Sequence, residues 1–284
     1  MDNNIYFGDF DSSLNEQENG AINILPVPYD KTTTWIKGAD KGPLAILEAS
    51  KALELYDIET GTEVYKKGIQ TCPFLNVSDD PERMAREVEE MVLLLRATGK
   101  FVVTLGGEHS VSIGAVRAHN SSVENMCVLQ LDAHADLRDE YEGSKYNHAC
   151  VTARVKEICP VVQVGIRSMD IEEVSKADTD SIFYARDIMG SADWIEKVIE
   201  QTCQNVYVTI DLDVFDPSIM PSTGTPQPGG LDRYQVTKLL KTLSEQRNVV
   251  GFDMVELCPN EGNKAPDLLA AKLVYKFLSY IHKN

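Results

Sequence analysis

Short apolar, β-branched runs alternate with helix-length segments along almost the whole chain, and this alternation restricts the fold more than any other feature. The runs Ile22–Val27, Phe101–Leu105, Met126–Leu131, Val161–Gly165, Ser181–Tyr184, Asn205–Ile210 and Val249–Val255 read as strands. Helices are expected over Pro43–Tyr56, Pro81–Thr98, Val111–His119, Ala149–Ile158, Ala192–Thr202, Arg233–Ser244 and Pro266–His282. Pro43 and Pro81 suit first-turn positions, where a missing N–H costs little. Such an order predicts right-handed crossovers and an α/β fold: a mostly parallel sheet with helices on both faces. No internal repeat or Pro/Gly/Ser-rich linker divides the 284 residues, so one domain over 1–284 is expected.

Polar motifs follow four of these strands. Gly106-Gly107-Glu108-His109 comes after Leu105, and Asp132-Ala133-His134-Ala135-Asp136 after Leu131. Asp211-Leu212-Asp213 comes after Ile210, and Glu256 after Val255. All four groups thus lie at carboxyl ends of predicted strands, the edge where open parallel sheets bind ligands. Chance would spread them over both ends.

In an extended segment every second side chain faces the same way, so Asp132, His134 and Asp136 can converge. With His109, Asp211 and Asp213 they offer two imidazoles and four carboxylates, a donor set for two divalent ions in oxygen-rich coordination. Asp132 and Asp211 are the candidates to bridge the ions. His109 and His134 would give one nitrogen to each, and Asp136 and Asp213 would complete the shells. One imidazole per ion among carboxylates favours Mn²⁺, although affinity alone favours zinc or nickel. Two ions roughly 3.5–4 Å apart can share a water and lower its pKa for attack on an electrophilic carbon. An isolated Asp-x-His is ordinarily a cap or a surface hydrogen bond. Here three of the five histidines, His109, His134 and His148, fall in or near the motifs. His119 and His282 lie on predicted helices and read as packing or surface residues.

The formal net charge of −17 argues against nucleic-acid binding, which needs basic surface, and is compatible with a cationic substrate. No apolar run is long enough to span a bilayer, and the first residues lack a secretory pattern, so a cytoplasmic protein without membrane partners is expected. Six scattered cysteines without a Cys-x-x-Cys pair point to reduced thiols rather than a zinc-thiolate site or disulfides.

Gly106–Ser110, Asp132–Asp136 and Asp211–Ser218 resemble the three signatures of the ureohydrolase (arginase/agmatinase) family. The similarity extends to Gly42-Pro43, Thr223-Gly224-Thr225-Pro226, Gly229-Gly230-Leu231 and Asp253-Met254-Val255-Glu256. The resemblance implies a three-layer α/β/α sandwich, two Mn²⁺ per subunit, and hydrolysis of a guanidino group to an amine and urea. It implies one ion on His109, Asp132, Asp136 and Asp211, and the other on His134, Asp132, Asp211 and Asp213. It further implies that Glu256 grips the guanidinium, that His148 carries a proton to the leaving amine, and that Asp136 also takes up a proton. Thr225 matches a threonine near the guanidino group. Glu108, between Gly107 and His109, is expected to orient its neighbours rather than bind metal. Trimers or hexamers are usual in the family, so a homo-oligomer is expected.

Arginases recognise the substrate's α-groups with a Ser-Gly-Asn stretch before the loop histidine. Here that loop reads Leu137-Arg138-Asp139-Glu140-Tyr141-Glu142-Gly143-Ser144-Lys145-Tyr146-Asn147-His148, and its first part is similar to bacterial agmatinases. Its acidic groups suit a substrate with a cationic far end, so agmatine going to putrescine and urea is the expectation. Asn147 could contact an α-substituent, and Lys145 could pair with a carboxylate, which leaves arginine, guanidinobutyrate and formiminoglutamate as alternatives. A single-metal deacetylase-like hydrolase and a non-catalytic metal-binding relative are the competing classes. The first would not need His109, and the second would release no urea.

Overall fold

Successive strand residues point to opposite faces, so strands apolar at nearly every position must be covered on both sides. The structure, a computed structural model, describes residues 5–9 and 20–283; residues 1–4, which entered the reading of location, lie outside it. Its strands are β1 (Ile22–Val27), β2 (Ile69–Thr71), β3 (Phe101–Gly106), β4 (Met126–Leu131), β5 (Val161–Ile166), β6 (Ile182–Tyr184), β7 (Asn205–Asp211) and β8 (Asn248–Val255). They form one sheet in the order β2-β1-β3-β8-β7-β4-β5-β6, with every neighbouring pair parallel.

The helices are α1 (Gly42–Ser50), α2 (Pro81–Arg96), α3 (Val111–Asn120), α4 (Val151–Val155), α5 (Ile171–Val174), α6 (Ala185–Ile188), α7 (Trp194–Gln201), α8 (Arg233–Gln246) and α9 (Ala265–Ile281). On one face Ile24, Leu105, Leu129 and Ile210 pack against residues of α1, α7, α8 and α9. On the other, Leu25, Val102, Val128 and Tyr207 meet α2, α3 and α4. This is the three-layer sandwich that the alternation and the resemblance led us to expect. Local chemistry starts the helices where the packing needs them. Asp80 accepts from Arg83 N ahead of α2, with Pro81 in the first turn, and Asp232 and Gln235 form a capping box at α8.

Several boundaries differ from the sequence reading. Helix α1 stops at Ser50 rather than Tyr56, although Leu53 and Leu55 beyond it still pack on the core and so mimic helical spacing. The helix expected over Ala149–Ile158 shrinks to α4, because His148–Cys150 forms a 3₁₀ turn capped by Asn147 Oδ1 on Ala149 N. Strand β2 and the short helices α5 and α6 carry too few residues for a periodic signal.

The row Leu105–Met254–Ile210–Leu131 runs in register across β3, β8, β7 and β4, the four central neighbours of the sheet. Each of the four motifs begins within two residues beyond this row. The register therefore delivers all of them at one level of one edge.

Away from that edge, Lys276 on α9 is buried with its ammonium 2.9 Å from both Asp57 oxygens and 2.7 Å from Glu59 Oε2. Burial alone would raise both carboxyl pKa values. Hydrogen bonds from Lys276, with Thr60 on Asp57 and Tyr280 and Lys241 on Glu59, instead lower both, Glu59 to about 2. Lys276→Met leaves Asp57 largely buried without its cation, and a broken buried pair costs about 3–5 kcal/mol; partial exposure of Glu59 brings the expected loss toward the lower figure. Depressed carboxyl pKa values contribute stability above the unfolded values that fades as pH falls toward 2. Urea denaturation at several pH values is expected to show the wild type losing stability over that acid range and the variant losing less. Equal stability of the two proteins at neutral pH would contradict this.

Candidate metal centre and substrate pocket

Gly107 begins the site by letting two turns meet. A Cβ there would lie 2.0 Å from the Tyr29 carbonyl oxygen, so only glycine admits this approach. Gly107 N donates to Val27 O, Glu108 N to Tyr29 O, and Glu256 N to Gly107 O (2.7 Å). Glu256 has φ +66° and Asp136 φ +52°, the left-handed region that non-glycine residues occupy at a cost. Both residues line the pocket described below.

His109 is buried with Nδ1 3.1 Å from Asp132 Oδ2, 3.1 Å from Asp136 Oδ2 and 3.4 Å from Asp211 Oδ2. No aligned hydrogen bond satisfies Nδ1 there. Its other nitrogen, Nε2, lies 2.9 Å from Thr209 Oγ1, and that hydroxyl donates to buried Asp253 Oδ1 at 2.6 Å. One hydroxyl proton serves one acceptor, so Thr209 accepts from Nε2–H and Nδ1 is the nitrogen turned toward the carboxylates. Burial opposes a charge on the ring, but Asp132 and Asp136 raise the His109 pKa well above its ordinary value. His134 Nδ1 is 2.9 Å from Asp213 Oδ2 and 3.7 Å from Asp132 Oδ1. Two clusters result, His109–Asp132–Asp211 and Asp132–His134–Asp213, which share Asp132. Asp136 reaches the first through His109, while Asp211 Oδ1 also caps the following turn by accepting from Asp213 N.

The electrostatics match a site built for cations. Burial, and then the charge of Asp132, pushes Asp136 up to about 7. Burial, then Asp213 and Asp132, raises Asp211 well above the carboxylate range. Burial and the charge of Glu108 push Glu256 up to about 8. Burial opposes ionisation of Asp132 too, but His109 and His134 hold its pKa low. A buried imidazole nitrogen ringed by carboxylate oxygens, with its proton given up to a cation, is a donor set that hard divalent ions satisfy, so the residues fit two such ions.

Beside the clusters lies a pocket of about 260 Å³ whose lining includes His148, Thr225 and Glu256. Five carboxyl residues line it, Asp136, Asp170, Glu173, Asp211 and Glu256, against one guanidinium, Arg138. Glu172 (2.6 Å) and Asp170 (3.1 Å) bind that guanidinium, which also covers the Tyr141 ring. Lys145 is exposed and outside the lining. Asn147, expected on the substrate, is buried outside the lining as well, and its side-chain oxygen caps the His148 turn. Glu108 turns from the metal-competent groups as expected. It is fully buried and accepts from Thr32 N, Thr33 N and Ser110 Oγ.

Sequence reasoning missed three supports. Thr209 and Asp253 orient His109, yet their motif neighbours carried no sign of it. Arg167, just past β5, donates to the carbonyls of Asp213 (2.6 Å), Phe215 (3.2 Å) and Gln227 (2.8 Å), pinning the turn that carries Asp213. An arginine spent on backbone carbonyls has no local signature.

A parallel sheet with an oxygen-rich, doubly clustered donor set and a pocket at its carboxyl edge is the arrangement of a candidate metal-dependent enzyme. Residues 20–279 match the Arginase family model, and the chain belongs to that family of guanidino C–N hydrolases. It is 39% identical over 279 residues to N(1)-aminopropylagmatine ureohydrolase of Synechocystis sp., covering 94% of this chain and 91% of that protein. To the agmatinase of Pyrococcus horikoshii it is 34% identical over 257 residues, 89% of each. The agmatine ureohydrolase structure of Thermoplasma volcanium superposes with a TM-score of 0.85 at 34% identity, covering 94% of this chain and 91% of that one. Among the described residues no helix is long and apolar enough to cross a membrane.

Proposed function

We propose that the protein, working as one domain, hydrolyses agmatine to putrescine and urea with two Mn²⁺ per subunit. One ion would be held by His109, Asp132, Asp136 and Asp211, the other by His134, Asp132, Asp211 and Asp213. When bound, such a pair supplies a water of lowered pKa and offsets the clustered negative charge. The chain's own groups do the rest. Glu256 accepts hydrogen bonds from the guanidinium, a planar cation suited to a carboxylate, and orients its carbon toward the centre. Water adds to that carbon and the bond to the alkyl-bearing nitrogen breaks. Asp136 accepts the proton the added water loses and passes it to the departing nitrogen. His148, taking a proton from solvent at Nε2, gives it to the freed amine while the added oxygen's second proton leaves to solvent, so urea and an alkylammonium result. Thr225 borders the guanidino end. Asn147 acts by setting the His148 turn. The protein is proposed to work in the cytoplasm as a homo-oligomer, without nucleic-acid or membrane partners.

The observation that carries the substrate assignment is the pocket's charge. With Asp136 and Asp211 on the ions and Glu256 on the guanidinium, Asp170 and Glu173 remain toward the far end, and the one arginine, Arg138, is already held by Asp170 and Glu172. Among the described lining residues a substrate carboxylate thus finds no free cation, while a distal ammonium finds acceptors. N(1)-aminopropylagmatine is the second reading, favoured by relatives of that name at 37–39% identity. Urea release from both amines, arginine and 4-guanidinobutyrate at saturating Mn²⁺ tests both. One of the two amines is expected to exceed arginine by at least about 100-fold in kcat/KM, since a buried unpaired carboxylate costs several kcal/mol. Comparable turnover of arginine would overturn the assignment.

A further inference from the structure

His148 lines the pocket, yet the groups that fix its ring come from far away in sequence. Thr32 Oγ1 lies 3.1 Å from His148 Nδ1 and 3.0 Å from His148 N, and it also meets Glu108 Oε1. The backbone N–H can only donate, which takes one of the hydroxyl's acceptor positions. Glu108 accepts from two backbone N–H groups and from the Ser110 hydroxyl, the pattern of a carboxylate that takes protons and gives none. The single Thr32 proton therefore goes to Glu108. What remains for His148 Nδ1 is to donate, so the ring carries its proton on Nδ1 and presents a bare Nε2.

We infer that Thr32, backed by Glu108, is a positioning residue that holds His148 in the Nδ1–H tautomer with Nε2 free to exchange protons in the pocket. It repeats, on the pocket wall, the arrangement by which Thr209 and Asp253 orient His109. In both cases a hydroxyl accepts from an imidazole and donates to a buried carboxylate. Thr32 is itself buried, at the start of the loop that brings Thr34 to the pocket lining. The inference rests on the proposed role of His148 as proton carrier.

The test compares Thr32→Val, Thr32→Ala and Thr32→Ser with His148→Asn, and with the Thr32→Val/His148→Asn double variant, all as Mn²⁺-loaded protein with agmatine. Thr32→Val and Thr32→Ala are expected to lower kcat at least about tenfold with KM and manganese content within about twofold of wild type, because a misdirected imidazole weakens proton transfer more than binding. Thr32→Ser is expected to restore most of the rate. The double variant should be no slower than His148→Asn alone, since both changes remove the same function. If His148→Asn itself turned over like the wild type, the proton-carrier reading would fall, and this inference with it. If His148→Asn were slow while Thr32→Val and Thr32→Ala kept full kcat, or if serine rescued nothing, the positioning role alone would fall. Thr32→Ser and Thr32→Ala decide the matter even if the valine variant does not fold.

Discussion

Asp132→Asn is expected to abolish urea release while leaving the fold intact. Asp132 belongs to both metal-competent clusters, so one substitution removes a negative oxygen from each. Changing a group that merely orients a ligand typically costs about 10–100-fold in metal affinity, and replacing a shared ligand is expected to cost more than that. The asparagine oxygen can still accept from His134 N (2.6 Å in the wild type) or from Gln130 Nε2 (2.7 Å), so the local turn has a means of persisting. Removing a charge from a crowded anionic group also relieves repulsion with Asp136 and Asp211. The change also removes the charge that His109 and His134 stabilise, since they hold the Asp132 pKa low, so the metal-free variant is expected to stay folded but to melt below metal-free wild type. Elemental analysis after gel filtration, paired with thermal unfolding of the stripped proteins, checks both statements. Two tightly held ions and normal turnover in the variant would rule out a shared ligand.

Glu256→Gln is expected to do the opposite: ions retained, substrate recognition lost. Its Oε1 accepts from His109 N at 2.8 Å, a bond the amide oxygen can keep, so the neighbouring turn should hold. The amide nitrogen, however, turns N–H donors toward a guanidinium that has only donors to offer. Losing one partner of a desolvated charged pair costs about 2–5 kcal/mol, or about 30-fold to several-thousand-fold in kcat/KM. The loss should be confined to guanidino recognition, with manganese content unchanged. A variant with wild-type kcat/KM for agmatine would remove Glu256 from the substrate.

Much of this arrangement is legible in the chain because its signals are local. Asp132, His134 and Asp136 lie within five residues, and the apolar runs before each motif mark strand ends directly. The register linking Leu105, Met254, Ile210 and Leu131 is not local, but parallel topology and the shared level of the motifs imply it. What escapes reading are contacts made by unremarkable residue types across long separations. Thr32 meets Glu108 across 76 positions and His148 across 116, and a threonine near an early loop carries no sign of either. Asn147 shows a related ambiguity. An asparagine beside a loop histidine suits ligand contact and turn capping equally, and only its burial and the bond to Ala149 N separate them. Strand β2 is the structural counterpart: three residues with a polar centre, Gln70, leave no pattern.

The brevity of β2 and β6 bears on how copies of this chain can meet. They are the two outermost strands of the sheet, and each is three residues long. So short a border exposes few unpaired main-chain groups, too few to template strand addition from another molecule. Self-association should therefore run through helices and loops, and the eight-stranded sheet should end where one polypeptide ends.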